Sequence, residues 1–242
     1  MTAERRAHPT ILRGLVVLEK VVQARRPVSA TELIEELELP KPTVNRILQQ
    51  LEDQGLLQRE PVNRRYLPGA RTRQIALGVM SNTALGAPRH AILKALSEEI
   101  GETCNCALLD GDHTVYFDRV EANWPFRIQL PIGTQLPLHC TASGKLFLAY
   151  MESRQRQRLL GAAPLKRFTD RTITDIEQIS TELKRVEKEG IGVDSEEFMA
   201  GMAAVAVPVF TPANSICFTV AVHAPAVRKP LAALRQYVPA LR

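Results

Sequence analysis

The sequence predicts an α+β protein in two parts: a helical head closed by a small β-ribbon, then a larger antiparallel sheet with helices on it. Three observations lead there. Residues 10–68 read helix, helix, short turn, helix, ribbon. After Gly101 the pattern changes to short runs of strand-forming residues. The basic excess is confined to the first third: residues 1–80 carry 13 Lys/Arg against 9 Asp/Glu, and the remainder 18 against 17.

In the head, Ile11, Leu15, Leu18 and Val22 fall at helical spacing and predict a first helix with that stripe inward. Pro27 ends it. Ser29 and Glu32 have the spacing of a capping box and open a helix over 30–38, with Leu33, Ile34 and Leu37 inward. Leu39-Pro40 breaks that helix. Pro42 starts a third, where its missing N–H costs nothing. Val44, Ile47, Leu48 and Leu51 are its buried face, and Gly55 closes it. LLQREPVNRRYLPG then reads as a ribbon turning near Pro61–Asn63. Three helices and a ribbon in this length are the layout of a winged helix-turn-helix, placed at 8–68 with the helix-turn-helix motif at 29–48.

A linker helix is expected over 69–85, with an apolar stripe of Ile75, Ala76 and Val79. Helix continues to about 100, with a break at Gly86–Pro88. The second domain, 83–242, opens its sheet with CNCALLD and HTVYFDRV around Asp110-Gly111-Asp112, a hairpin signal. FRIQLPI is read as a further strand. Thr141–Met151 is a short apolar helix. Thr174 and Glu177 form a second capping box, before a helix with Ile176, Ile179, Leu183 and Val186 inward and Gly190 at its end. Phe198–Val227 contains no Asp, Glu, Lys or Arg, but Pro208, Pro212, Asn214 and Ser215 interrupt it. It therefore reads as two buried strands, MAAVAVPVF and ICFTVAVHA, joined by the turn TPANS, and not as a membrane span. Ala226–Arg242 is expected to be a short helix.

The third helix carries the strongest chemical signal. Opposite its apolar face stand Thr43, Asn45, Arg46, Gln49 and Gln50. Arg suits guanine edges, and Asn and Gln suit adenine. The ribbon adds Arg59, Asn63, Arg64, Arg65 and Tyr66, a basic set suited to phosphates or the minor groove. The expected partner of the head is double-stranded DNA.

Other chemistries fit poorly. His139 and Cys140 are adjacent, so on an extended chain they point apart and make no thiol–imidazole pair; Cys140 reads as pocket-lining. Ser143-Gly144-Lys145 lacks the earlier glycine and the following Ser/Thr of a phosphate loop. Cys104, Cys106 and Cys140 match no zinc spacing and no disulfide framework. No metal, cofactor or enzymatic activity is expected. The polar N-terminus MTAERRAHPT lacks the apolar core of a signal peptide, and a reducing cytoplasm is the expected setting.

At the start of the Thr141–Met151 helix, the N–H groups of Thr141, Ala142, Ser143 and Gly144 and the helix dipole favour an anion such as a carboxylate. Asp194 and Glu197, ahead of a buried strand, can accept from a ligand hydroxyl or cap local backbone.

The run SATELIEELELPKPTVNRILQQLEDQGLLQRE resembles the DNA-binding head of the IclR family of bacterial transcriptional regulators. LPLHCTASGKLFLAYM and KEGIGVDSEEFMAGMAAVAVPVF resemble two segments of that family's effector domain. The resemblance implies a second domain similar to GAF and profilin-like folds, palindromic operators bound by homodimers or dimers of dimers, and organic-acid or aromatic-acid effectors. It implies a pocket that includes Gly144, Asp194, Met202, Ala204, Ala221 and His223. Relatives that sense very small keto acids tend to carry Cys or Ser where this chain has Ala204, Ala221 and His223. That departure favours a bulkier or less polar ligand.

Overall fold

The computed structural model describes residues 10–242 apart from 25, 61, 125–129 and 213. The chain divides into two compact units, Met1–Val79 and Met80–Arg242. Residues 8 and 9, at the expected start of the head, lie outside the described residues.

The first unit holds α1 (Thr10–Gln23), α2 (Ala30–Leu37), α3 (Lys41–Asp53), β1 (Leu57–Arg59), β2 (Tyr66–Pro68) and most of α4 (Ala70–Met80). Its core joins Val17, Val21, Leu33, Val44, Ile47, Leu48, Leu57 and Tyr66. The capping box forms: Ser29 Oγ accepts from Glu32 N–H at 3.2 Å, and Ser29 N–H donates to the Glu32 carboxylate at 2.6 Å. These bonds hold the Glu32 carboxyl down at about 2. Gly55, with φ +68°, follows the end of α3. β1 and β2 pair antiparallel, Arg59 opposite Tyr66. Pro61 of the expected turn lies outside the described residues; Glu60 N–H donates to the Arg65 carbonyl at 2.8 Å across it.

The expected stripe on α1 is displaced. Val17 and Val21 are buried, Leu18 is partly so, and Ile11, Leu15 and Val22 are exposed. The run LVVLEKVV is apolar on more than one side, so spacing alone does not choose a face. Packing of α1 on α3 and β2 makes the choice. The helix break is displaced as well. α5 spans Thr83–Ile100 and contains Pro88, and the interruption falls at 81–82 rather than at Gly86–Pro88. Pro88 lies within the second turn, where it forfeits one ladder bond, to the carbonyl of residue 84.

In the second unit, β3 (Thr103–Asp110) and β4 (His113–Val120) form the expected hairpin, with Asp110 opposite His113. β5 (Gln135–Pro137) adds an edge. Residues 126–129 of FRIQLPI lie outside the described residues, and 130–132 are not strand. Then come α6 (Ala142–Tyr150), α7 (Ser153–Gly161), α8 (Ile176–Glu189), β6 (Gly192–Ser195), β7 (Met202–Phe210), β8 (Ile216–Pro225), α9 (Leu231–Arg235) and α10 (Val238–Leu241). The C-terminal stretch is thus two short helices, not one. The expected turn TPANS includes residue 213, which lies outside the described residues.

Among the described residues the sheet has six strands in the order β5-β4-β3-β8-β7-β6, every neighbouring pair antiparallel. α6 lies on β6, β7 and β8, and α8 packs on α6. α5 contacts β3 and β4, and α9 and α10 contact β7. α8 is capped by Asp175, whose carboxylate accepts from Gln178 N–H at 2.8 Å, and not by Thr174. The Thr174 hydroxyl is occupied by Arg167 at 3.1 Å. With the start so set, Ile176 is 45% exposed, while Ile179, Leu183 and Val186 are buried as expected.

Candidate functional site

On the head, Val44, Ile47 and Leu48 hold α3 in the core and turn Asn45, Arg46, Gln49 and Gln50 outward; Thr43 is half-buried. Gln49 Nε2 donates to Asp53 Oδ1 at 2.7 Å. Arg46 is exposed and, among the described residues, has no polar partner. A helix that presents a free guanidinium beside amide side chains can meet base edges.

The ribbon divides into exposed and internally paired residues. Arg64 is exposed, at φ +51°. Asn63 is exposed too, its amide 3.4 Å from Glu60. Arg59 pairs with Glu52 at 2.8 Å and lies over the Tyr66 ring at 5.0 Å. Tyr66 is only 6% exposed and bridges to Val28. Arg65 reaches back to the Pro27 carbonyl at 3.3 Å and to Glu32 at 3.5 Å. Arg59, Arg65 and Tyr66 therefore tie the ribbon to the helices, which leaves Arg64 as the exposed arginine of the turn with no ion-pair partner among the described residues.

The second unit contains a partly open cavity of about 50 Å³. Its floor is one face of the sheet. Strand alternation brings Asn105 (β3), Thr114 and Tyr116 (β4), Asp194 (β6), Met202 and Ala204 (β7), and Ala221 and His223 (β8) to it. Thr141, Ala142 and Ser143 from the start of α6 form one wall, and Leu130, Leu136, Phe198, Met199 and Ala203 complete the lining. No Lys or Arg is among these residues.

Of the residues expected at this site, Thr141, Ala142, Asp194, Met202, Ala204, Ala221 and His223 line the cavity; Cys140, Gly144 and Glu197 do not. Gly144 is required by packing: a Cβ there would stand 2.4 Å from the Leu138 carbonyl. Glu197 is buried and accepts from Lys145 Nζ at 2.6 Å. Lys145 is wholly buried and also meets Glu182 at 3.2 Å. This pair ties α6 to the segment after β6. Cys140 is buried behind the wall, its thiol pushed well above the usual range by burial, and His139 Nε2 turns instead to the Lys166 carbonyl at 2.9 Å. Asn105, Thr114 and Tyr116 were missed. For Asn105 the signal is present in CNCALLD: cysteines on one face of β3 place Asn105 on the other.

The wall offers backbone donors and no cation. Thr141 caps α6, its Oγ1 accepting from Gly144 N–H at 3.2 Å, and its carbonyl takes Lys145 N–H. The N–H groups of Ala142 and Ser143 have no intrahelical partner. Asp194 Oδ1 accepts from Glu197 and Phe198 N–H at 2.8 and 3.3 Å, yet burial raises its carboxyl to about 7. Near neutral pH it is partly protonated and can donate to a ligand. His223 is pushed down to about 3, first by burial and then by Arg119, so its ring is neutral. Among the described residues no group of His, Cys, Asp or Glu is placed to hold a metal, and no helix is long and apolar enough to cross a membrane.

A helix-turn-helix head followed by a domain with a partly open, mostly apolar cavity is the layout of a ligand-responsive transcriptional regulator. Residues 77–242 match the family model of the bacterial transcriptional regulator IclR C-terminal domain, and residues 10–61 match that of the IclR helix-turn-helix domain. The chain is 44% identical over 231 residues to the probable transcriptional regulator SauR of Cupriavidus necator, covering 96% of this chain and 92% of that one. The crystal structure of the Thermotoga maritima IclR is similar with TM-score 0.63 at 27% identity, over 96% of this chain and 94% of that one. The inducer-binding domain of the PobR transcription factor from Acinetobacter, a double mutant in complex with 3-hydroxybenzoic acid, matches with TM-score 0.59 at 25% identity. That match covers 65% of this chain and 93% of the PobR chain. The protein belongs to the IclR family: it is a DNA-binding transcriptional regulator with a C-terminal inducer-binding domain, in a family of regulators rather than enzymes.

Proposed function

We propose that this regulator controls a catabolic operon from a palindromic operator, and that a small carboxylic or aromatic acid held in the sheet cavity sets its operator affinity. It acts as a homodimer or dimer of dimers in the cytoplasm, without cofactor or metal. The cavity carries this reading. Two N–H groups at the start of α6 without intrahelical partners offer a carboxylate its contacts, and Asp194, partly protonated near pH 7 by burial, repels an ionised acid less than an ordinary carboxylate would. The apolar lining of Leu130, Leu136, Phe198 and Met202 suits a hydrocarbon body. The hydroxybenzoate complex of the PobR domain supports an acid as ligand.

The test is a thermal-shift screen of aliphatic and aromatic acids on the full chain, followed by operator titration with each binder. An acid that raises the melting temperature by binding the folded state is expected to change operator affinity. If acids bind but leave DNA affinity untouched, the cavity does not control the head.

A further inference from the structure

On the cavity-side face of the sheet three polar side chains form a row. Asn105 on β3 pairs in register with Arg119 on β4 and with Ala221 on β8, and His223 lies two residues beyond Ala221. Arg119 Nη2 is 3.4 Å from His223 Nε2, and the Asn105 amide is 3.2 Å from His223 Nδ1. Asn105 is 1% exposed and His223 also lines the cavity. With Asn105 Nδ2 toward the ring, Oδ1 is buried and unpartnered.

The donors and acceptors in this row permit one arrangement. A guanidinium only donates, so the ring nitrogen that faces it, Nε2, must accept. A neutral imidazole then carries its proton on Nδ1. Nδ1–H requires an acceptor, and the acceptor of Asn105 is Oδ1. The amide is therefore turned by 180°, which satisfies both ring nitrogens and removes the unpartnered oxygen. The Asn105 NH₂ then occupies the position without a protein partner, on a residue that lines the cavity.

We infer that Asn105, held in this orientation by His223 and Arg119, determines ligand specificity by donating from its NH₂ to a neutral oxygen acceptor on the ligand, such as a carbonyl set apart from the carboxylate. This rests on the organic-acid reading of the cavity. The contact discriminates because a ligand with a methylene at that place leaves the buried NH₂ without a partner. An acceptor bearing a full charge would meet only a neutral amide there, with no Lys or Arg in the lining to balance it.

Isothermal titration of the full chain with matched acids tests this: 4-oxopentanoate beside pentanoate, and 5-oxohexanoate beside hexanoate. In at least one pair the oxo acid should bind about tenfold tighter or better. Asn105→Asp and Asn105→Ala should abolish that preference while still binding the plain acid. Equal binding within both pairs, or a preference that survives in both variants, overturns the role of Asn105 and leaves the organic-acid reading standing. Failure of all four acids to bind counts against both. Nitrogen-15 NMR of the histidines, with His223 assigned by its loss in His223→Gln, checks the arrangement without ligand. The proton is expected on Nδ1. A proton on Nε2, or a charged ring at pH 7, overturns the inference directly.

Discussion

At the scale of single residues, Arg46 and Arg64 are the two exposed arginines of α3 and the ribbon turn, and they should behave differently. Arg46→Ala is expected to cost about 1–3 kcal/mol at one base position. Arg64→Ala should weaken all sequences alike and flatten the salt dependence by about one charge. Titrating both variants on operator mutants across a salt series separates them; equal, sequence-independent losses would place Arg46 on the backbone. The cavity offers a test through pH. Asp194 has its carboxyl raised to about 7 from 3.8, so it contributes stability at low pH that is lost as pH rises through that window. His223 is lowered to about 3 from 6.5, so it contributes stability at high pH that is lost as pH falls through its window. Between pH 4 and 6.5 the two slopes oppose each other. Asp194→Asn should therefore expose the His223 slope, a loss of up to about 1.4 kcal/mol per pH unit on acidification in denaturant melts. A variant whose pH profile matches wild type would show that Asp194 is ionised in the folded protein. The outward row Asn45, Arg46, Gln49 could be read from helical period alone, because the apolar face fixes the polar one. Tyr66 could not, because an aromatic on a short ribbon is equally compatible with core and surface.

Capping and packing decide where each element begins, and their legibility follows from how local they are. The Ser29–Glu32 box was visible in sequence because all its partners lie within four residues. Ser29→Ala should destabilise the head by about 1 kcal/mol in a denaturation midpoint, with little effect on the melting of the second unit. No change in the head would mean that Glu32, held also by Arg26 at 2.8 Å, keeps the turn unaided. The Asp175 cap was misread by one residue, since Thr174 satisfies the same local pattern and only its bond to Arg167 disqualifies it. The face of α1 was misread for a longer-range reason: the helices and strand that cover Val17 and Val21 are distant in sequence. At α6 the same long-range constraint gives a sharp expectation. Gly144→Ala would force a methyl against the Leu138 carbonyl and Thr141 Oγ1. Helix propensity favours Ala, by about 1 kcal/mol, yet the variant should melt earlier than wild type and lose acid binding, because α6 must move away from the cavity. A stabilised variant with intact binding would show that the approach relaxes cheaply.

For the whole molecule, the concentration of basic excess in the first third of the chain already coincides with the DNA-binding head. The sheet order and cavity were less legible, since β5 and β6 are short and their pairing partners lie far along the chain. Function requires the two units to be coupled, and coupling has a definite thermodynamic form. A ligand changes operator affinity only by binding one arrangement of the paired heads better than another, typically by about 1–3 kcal/mol. The reciprocal also holds: operator DNA must change the affinity for the acid by the same factor. Ala204 lies on the cavity floor between Met202 and Ala206 on β7, opposite His223 and Asp194 on its neighbours. Ala204→Trp should fill the space that a ligand body needs. Its expected signature has two parts. Operator affinity without ligand stays within about twofold of either the free or the liganded wild-type value, because the head is untouched. The acid found by screening then produces no further change, and calorimetry detects no binding. Light scattering on the same samples should report a dimer or larger, since a single head covers too few base pairs to select a palindrome. A full ligand response retained by Ala204→Trp would move the sensing site away from this cavity, whatever its lining suggests.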